Sequence, residues 1–286
     1  MKNDDFVNNI NTTRELLKAH GFKFSKSMGQ NFLIDVNIPD KIVKLSGVDK
    51  SCGVLEVGSG IGALTLALSR EAGFVTSVEL DKRLIPVLKE IFQGHSNVSI
   101  VQGDILKLDI KKIINEKMSG LEPHVCANLP YNITTPAITA FIEAGVFSSI
   151  TVMVQKEVAQ RIYAKPGSPE YGAFSVYTNY HTKPEILFDV PPECFTPRPK
   201  VTSAVVKMEV IKRRIPDKKE EETFFRVVRA AFGQRRKTLV NTLHAVFNKS
   251  LSKEEITEIV ASCGFDVRIR GEMLSIDDFI KVASHF

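Results

Sequence analysis

The sequence predicts an α/β protein, a doubly wound parallel sheet followed by a small all-helical domain. Three observations carry this. Short apolar runs alternate with helical patterns between residues 53 and 155, which is how parallel strands and their crossover helices read. Three glycines, Gly58, Gly60 and Gly62, stand directly after the first of those runs and before the first helix. The rhythm then changes at a charge run, "KRRIPDKKEEE" at 212–222, beyond which every segment is helical.

The elements follow in order. Residues 11–20 suit a short helix, and a basic polar stretch, "FKFSKSMGQNFLID", comes next. "GVLEVG" reads as a buried strand, "GALTLALSREA" as a helix, "FVTSVEL" as a strand and "RLIPVLKEIF" as a helix. Pro86 is tolerated there because it falls in the first turn. "VSIVQGD" is the next strand. "HVCANLPY" runs into a helix through "PAITAFIEAG", and "SITVMVQ" is again a strand. "QKEVAQRI" is helical and "YAKPGSPEYG" a loop, while "SVYTNYHTKPEILFDV" and "SAVVKMEVI" alternate like antiparallel strands. The charge run reads as a solvated linker. Ser252 with Glu255 forms a capping-box pattern, Gly264 suits the end of that helix, and Ser275 caps a last one. The chain therefore divides into 1–211 and 212–286.

Composition bounds the function. The 286 residues suffice for one large domain and one small. At 43% hydrophobic and 25% charged they are an ordinary globular mixture, not a disordered or fibrous one. A formal charge of +5 and a pI near 8.9 fit a nucleic-acid partner without establishing one. Cys52, Cys126, Cys194 and Cys263 form no CxxC pair and read as reduced, mostly buried thiols of a cytoplasmic protein. The six histidines are scattered, so no metal site is expected. No apolar run has the length of a membrane span, and the N-terminal segment, acidic from its start, reads as a mature terminus.

The glycine pattern alone fits a dinucleotide site, a methyl-donor site or a plain turn. Spacing adds to it. Glu79 ends the next strand, 21 residues after Gly58, where a carboxylate can accept both ribose hydroxyls. Asp104 ends the strand after that, where it can accept a proton from an exocyclic adenine amine. Asn128-Leu129-Pro130-Tyr131 ends the following apolar run. Taken alone these four make a turn with a ring packed over it.

In this order the motifs resemble a class I S-adenosylmethionine-dependent methyltransferase acting on adenine N6. More closely, the chain resembles the KsgA-type small-subunit ribosomal RNA adenine N6,N6-dimethyltransferases. "GQNFLID", "LEVGSGIGALT", "NLPYNITTP", "FTPRPKVTSAVV", "FGQRRKTLVNTL" and "RGEMLS" carry the likeness over nearly the whole length. The family usually has proline where this chain has Ser59; Gly-Ser-Gly is familiar from related large-subunit rRNA methyltransferases that confer macrolide resistance.

The resemblance implies a Rossmann-like catalytic domain over 1–211 and a helical RNA-binding domain over 212–286. It implies S-adenosylmethionine as methyl donor, held by Gly58 at its methionine part, Glu79 at the ribose and Asp104 at the adenine. Asn31 and Leu33 close over the donor, and Asn128 also touches it. The Asn128 side-chain oxygen and a carbonyl at Leu129 or Pro130 accept the two N–H groups of the target amine. This favours a pyramidal nitrogen whose lone pair faces the methyl group. Pro130 fixes the backbone there, and Tyr131 offers a ring for a flipped-out base. No metal takes part.

"TFFRVVRAAFGQRRKTLVNTL" is the strongest basic element. Phe225, Val228 and Phe232 share an apolar helix face, Arg226 and Arg229 another, and Arg235, Arg236 and Lys237 cluster as candidate phosphate contacts. The expected function is dimethylation of two adjacent adenosines in the 3′-terminal hairpin of small-subunit rRNA. The partner is that rRNA within a pre-ribosomal particle. The protein is expected to be cytoplasmic, monomeric and free of membrane. Two other readings stay open: the same chemistry on large-subunit rRNA, and a non-catalytic RNA-binding assembly factor.

Overall fold

The computed structural model of the protein describes residues 31–286. The helix expected at 11–20 lies outside the described residues. The described residues form two compact units, one holding those up to Ala159 together with Glu185–Val210, the other Gln160–Pro184 and Ile211–Phe286.

The first unit begins with β1 (Phe32–Leu33) and α1 (Asn37–Ser46), followed by the expected alternation. β2 (Cys52–Val57), α2 (Ala63–Glu71), β3 (Phe74–Glu79), α3 (Ile85–Ile91) and β4 (Val98–Gln102) come in turn. Then follow α4 (Ile110–Lys117), β5 (Glu122–Asn128), α5 (Thr134–Ala144), β6 (Ser149–Gln155) and α6 (Lys156–Tyr163). β7 (Thr182–Val190) and β9 (Ser203–Val210) complete a seven-stranded sheet of order β4-β3-β2-β5-β6-β9-β7. The short β8 (Phe195–Thr196) pairs antiparallel with β1 outside it.

The five strands from β4 to β6 are parallel, and β9 joins antiparallel to β6. β2 is buried at all six positions, as a strand covered on both faces must be, and this is why it reads as a continuous apolar run. The chain starts at β2, works outward to β4 and returns to β5 on the other side of β2. That reversal opens a crevice at the carboxyl ends of β2 and β5.

The second unit contains α7 (Ala173–His181), α8 (Lys218–Gly233), α9 (Leu239–Phe247), α10 (Lys253–Ser262) and α11 (Ile276–Ala283). Asp217, Thr238, Ser252 and Ser275 each cap a helix through the side chain, with full capping boxes at Ser252 and Ser275. Gly264 follows α10 at φ +85°. Its core gathers Tyr180, Phe224, Val227, Leu243, Val260 and Phe279.

Three expectations need correction. A single division at residue 211 is incomplete, because 160–184 packs into the second unit, where Tyr171, Val176 and Tyr180 join the helical core. Residues 175–181 are helix rather than strand. Thr178 and Asn179 bond back to carbonyls of the preceding turn and of Ile162, which satisfies polar side chains that sequence pattern alone assigns to a strand. The charge run is a linker only to Asp217; its last five residues open α8 under the Asp217 cap. Phe225, Val228 and Phe232 do share the apolar face of α8, which extends to Phe224, Val227 and Ala231.

Tyr180 ties the segment before α8 to α7. Its hydroxyl donates to Glu221 Oε1 at 3.0 Å and accepts from the Ile215 N–H at 3.1 Å, both inside the core. Tyr180→Phe should cost about 1–3 kcal/mol, the range for stranding a buried polar partner, as measured by urea unfolding. A loss below ~0.5 kcal/mol would remove this bond from the account of the second unit.

Candidate active site

The crevice beyond β2 and β5 is a cavity of about 380 Å³ in the first unit. Asn31, Leu33, Gly58, Glu79, Asp104, Asn128, Leu129, Pro130 and Tyr131 all line it. Arg235, Arg236 and Lys237 belong to the second unit.

The glycine turn is built by contact as much as by conformation. Gly58 has φ +80°, and a Cβ there would lie 3.3 Å from Pro130 Cδ and 3.4 Å from the Asn128 carbonyl oxygen. A Cβ on Gly60, at φ +55°, would lie 3.0 Å from the Phe32 ring. The turn thus abuts the Asn-Leu-Pro-Tyr segment on one side and β1 on the other. The Gly58 N–H donates to the Val78 carbonyl at 2.9 Å. Glu79 closes the far side, accepting the Gly60 N–H on Oε2 at 3.0 Å and the Asp81 N–H on Oε1 at 2.8 Å. Each carboxylate oxygen keeps acceptor capacity beyond those bonds. Burial pushes the Glu79 carboxyl up, against the pull of these backbone donors.

Asp104 accepts the Leu106 N–H at 3.1 Å, and the Lys107 ammonium stands 3.7 Å from its other oxygen. It therefore holds its own turn as well as lining the cavity. At the end of β5 the Asn128 side-chain amide has no partner among the described residues. The Pro130 carbonyl accepts from the Ile133 N–H at 3.1 Å and the Thr134 hydroxyl at 3.3 Å. The Leu129 carbonyl takes no such bond. Of the two carbonyls expected as second acceptor, Leu129 is the unoccupied one. The Tyr131 hydroxyl lies 2.7 Å from Ser203 Oγ at the start of β9.

Among the described residues the lining is one-sided in charge: Glu56, Glu79, Asp81 and Asp104 contribute to it, and no Lys, Arg or His does. Asp81 is paired with Arg83 at 2.6 Å. Glu56 is 1% exposed. Burial raises its carboxyl from 4.5 to about 7, although Ser77 and Thr65 donate to it. Such a cavity suits a cationic ligand. The N-terminus of α2, without a side-chain cap, suits a carboxylate.

Sequence reasoning missed Glu56, the exposed Leu80 and Leu106, and Ser203. The two leucines line the cavity directly beyond the acids of β3 and β4. Their signal was an apolar residue just past each strand-end acid. Nothing in the sequence marked Ser203, which lies 72 residues from Tyr131.

The basic cluster is less uniform than its spacing implied. The Arg235 guanidinium donates to the carbonyls of Pro169 and Tyr171 and sits 3.9 Å from Glu272, so it braces the second unit. Arg236 and Lys237 are exposed and make no side-chain bond among the described residues.

A mostly parallel sheet with helices on both faces and a ligand crevice at its switch point is the fold of class I methyltransferases, and the chain has that fold. More narrowly, it matches the ribosomal RNA adenine dimethylase family over residues 21–281 and belongs to it. It is 43% identical over 282 residues to the ribosomal RNA small subunit methyltransferase A of Alkaliphilus oremlandii, covering 98% of each chain. Its identity to the protein of that name from Lysinibacillus sphaericus is 46% over 276 residues, 95% of this chain and 94% of the other. Among solved structures it resembles a dimethyladenosine transferase from Plasmodium falciparum, with a TM-score of 0.75 and 26% identity over 88% of this chain and 95% of that one. The 23S rRNA methyltransferase ErmE shares the fold at a TM-score of 0.71 and 22% identity, over 89% of this chain and 98% of that one.

Glu56 makes stability depend on pH. Its carboxyl binds a proton more tightly in the folded chain than in the unfolded one, so the stability gained is complete below 4.5 and is lost as pH rises through about 7. Glu56→Gln should flatten that loss in thermal melts of the ligand-free protein between pH 5 and 8. An unchanged slope in the variant would assign the titration to another group.

Proposed function

We propose that the protein transfers methyl groups from S-adenosylmethionine to N6 of two adjacent adenosines in the 3′-terminal hairpin of small-subunit rRNA, giving N6,N6-dimethyladenosine. It acts in the cytoplasm, as a monomer, on a pre-ribosomal particle during subunit assembly. The observation that carries the reading is the Asn128 amide, unpartnered at the cavity's edge beside an unoccupied Leu129 carbonyl. The full-length likeness to proteins named small subunit methyltransferase A supports the small subunit over the large one.

When bound, S-adenosylmethionine supplies an electrophilic methyl on a cationic sulfonium, which the acidic lining fits. The turn at Gly58 and the start of α2 hold its methionine part, Glu79 its ribose and Asp104 its adenine. Asn31 and Leu33 close the cavity from β1. Leu80 and Leu106 give the adenine apolar walls. On the acceptor side, Asn128 Oδ1 and the Leu129 carbonyl each accept one N–H of the target amine. Held this way the nitrogen turns pyramidal and presents its lone pair. This is preorganised electrostatics and positioning. After transfer the alkylated nitrogen gives a proton to water. Tyr131 stacks on the flipped base, with its ring angle fixed by Ser203. Arg236 and Lys237 contact phosphates, and Arg235 supports them from within the unit.

Three outcomes are expected. Glu79→Ala should weaken donor binding by ~1.5–3 kcal/mol in calorimetry, with RNA affinity kept; unaltered donor affinity would sink the ribose role. Neutralising Arg236 and Lys237 together should flatten the salt dependence of RNA binding by about two units of log–log slope for a duplex-like site. If Arg235→Ala flattened it equally, the brace reading of Arg235 would fail. Asn128→Ala should slow methyl transfer by up to the ~2.7–4 kcal/mol that one preorganised oxyanion-hole donor contributes, with little change in RNA affinity. The test is single-turnover product analysis on pre-ribosomal subunits, resolving mono- from dimethyladenosine. Two methyls transferred at the wild-type rate would refute the polarising role. A primer-extension stop on large-subunit rRNA alone would favour the other substrate.

A further inference from the structure

A buried relay joins the glycine turn to the strands beneath it. Ser59 carries the one polar side chain of the turn Gly58–Gly62 and is 5% exposed. Its Oγ lies 2.5 Å from Ser77 Oγ on β3. The Ser77 hydroxyl donates to Glu56 Oε2 at 2.5 Å, and Thr65, on α2, donates to the same oxygen at 2.5 Å. A hydroxyl has one proton to give. Ser77 gives its own to Glu56, so Ser59 donates to Ser77. With the carboxyl ionised the direction runs from Ser59 to Ser77 to Glu56, with Thr65 donating from the other side. Among the described residues Glu56 Oε1 takes no donor, and the residue lines the cavity.

We propose that Glu56 is a positioning residue of the donor site, anchoring the glycine turn through Ser77 and Ser59 and the first turn of α2 through Thr65. The inference rests on the reading of the cavity as an S-adenosylmethionine site. The physical need is plain. Gly58, Gly60 and Gly62 all have positive φ, and glycines are free to leave such conformations. A turn that must be ordered on binding costs affinity, and one held beforehand does not. The Gly58 and Gly62 N–H groups donate to backbone carbonyls, and that of Gly60 to the Glu79 carboxylate. Within the turn itself, only Ser59 reaches into the sheet with a polar side chain.

The groups facing Glu56 sharpen this. Glu79 on β3 repels it and Cys126 on β5 feels its charge. Among the described residues no cation lines the cavity. A bound sulfonium therefore favours the ionised carboxylate, which is also the better acceptor for both hydroxyls. Donor binding and a tight relay reinforce each other.

The test uses the full chain and calorimetric titration with S-adenosylmethionine. Ser59→Ala and Ser77→Ala should each weaken donor binding about three- to tenfold, the range for one lost hydrogen bond. The double variant should lose no more than the weaker-binding single, since both hydroxyls serve one chain. Donor KM should rise while kcat at saturating donor and RNA affinity stay within about twofold, as for an interaction made equally in ground and transition states. Donor binding near neutral pH should release protons in wild type, and less in Glu56→Gln. Wild-type donor affinity in both single variants, or losses that multiply in the double, would overturn the relay. A wild-type protein that binds no S-adenosylmethionine would overturn the donor reading itself, and the inference with it.

Discussion

The site depends on one close approach of backbone to backbone. Where β2 and β5 end side by side, Gly58 comes so near Asn128 and Pro130 that a single added methyl would touch both. The glycine turn and the Asn-Leu-Pro-Tyr segment are thereby neighbours across a van der Waals contact. Methyl transfer needs donor carbon and acceptor nitrogen within roughly 3–3.5 Å in line. On the function proposed above, this contact lets two segments coded 70 residues apart serve one reaction. The parallel sheet supplies the rest, because register between β2 and β5 sets where each strand stops.

The same crevice gathers negative charge at a cost. Glu56 and Glu79 are both buried and both pushed upward by desolvation. Hydroxyls and backbone N–H groups offset this, and among the described residues no arginine or lysine lines the cavity. Catalytic clefts commonly hold polar groups in arrangements that stability alone would not select.

Much of this was legible in the sequence because it is local. The glycine turn, the strand-end acids and the apolar strands are each set by spacing within one βα unit, and α10 announced itself by its Ser252–Glu255 box. What was not legible is non-local. Val176, Tyr177 and Tyr180 have the β-branched and aromatic character of a strand, yet they fold as helix because Phe224 and Val227, some fifty residues on, provide the core that buries two of them. Arg235 looked like its neighbours until Pro169 and Tyr171 supplied carbonyls for it. Ser203 has meaning only once β9 brings it to Tyr131.

The discontinuous make-up of the second unit bears on how a growing chain matures. The residues of the first unit end at Val210, so the whole sheet can assemble while the rest is still being made. Helix α7 cannot bury Tyr180 so early, since Phe224 comes 44 residues later and Phe279 almost a hundred. At ribosomal speeds of ~5–20 residues per second, that apolar helix waits on the order of 5–20 s for its last partners. A nascent chain thus carries a finished catalytic sheet beside an unsatisfied aromatic segment. Premature release would leave that segment as a sticky surface on an otherwise folded protein.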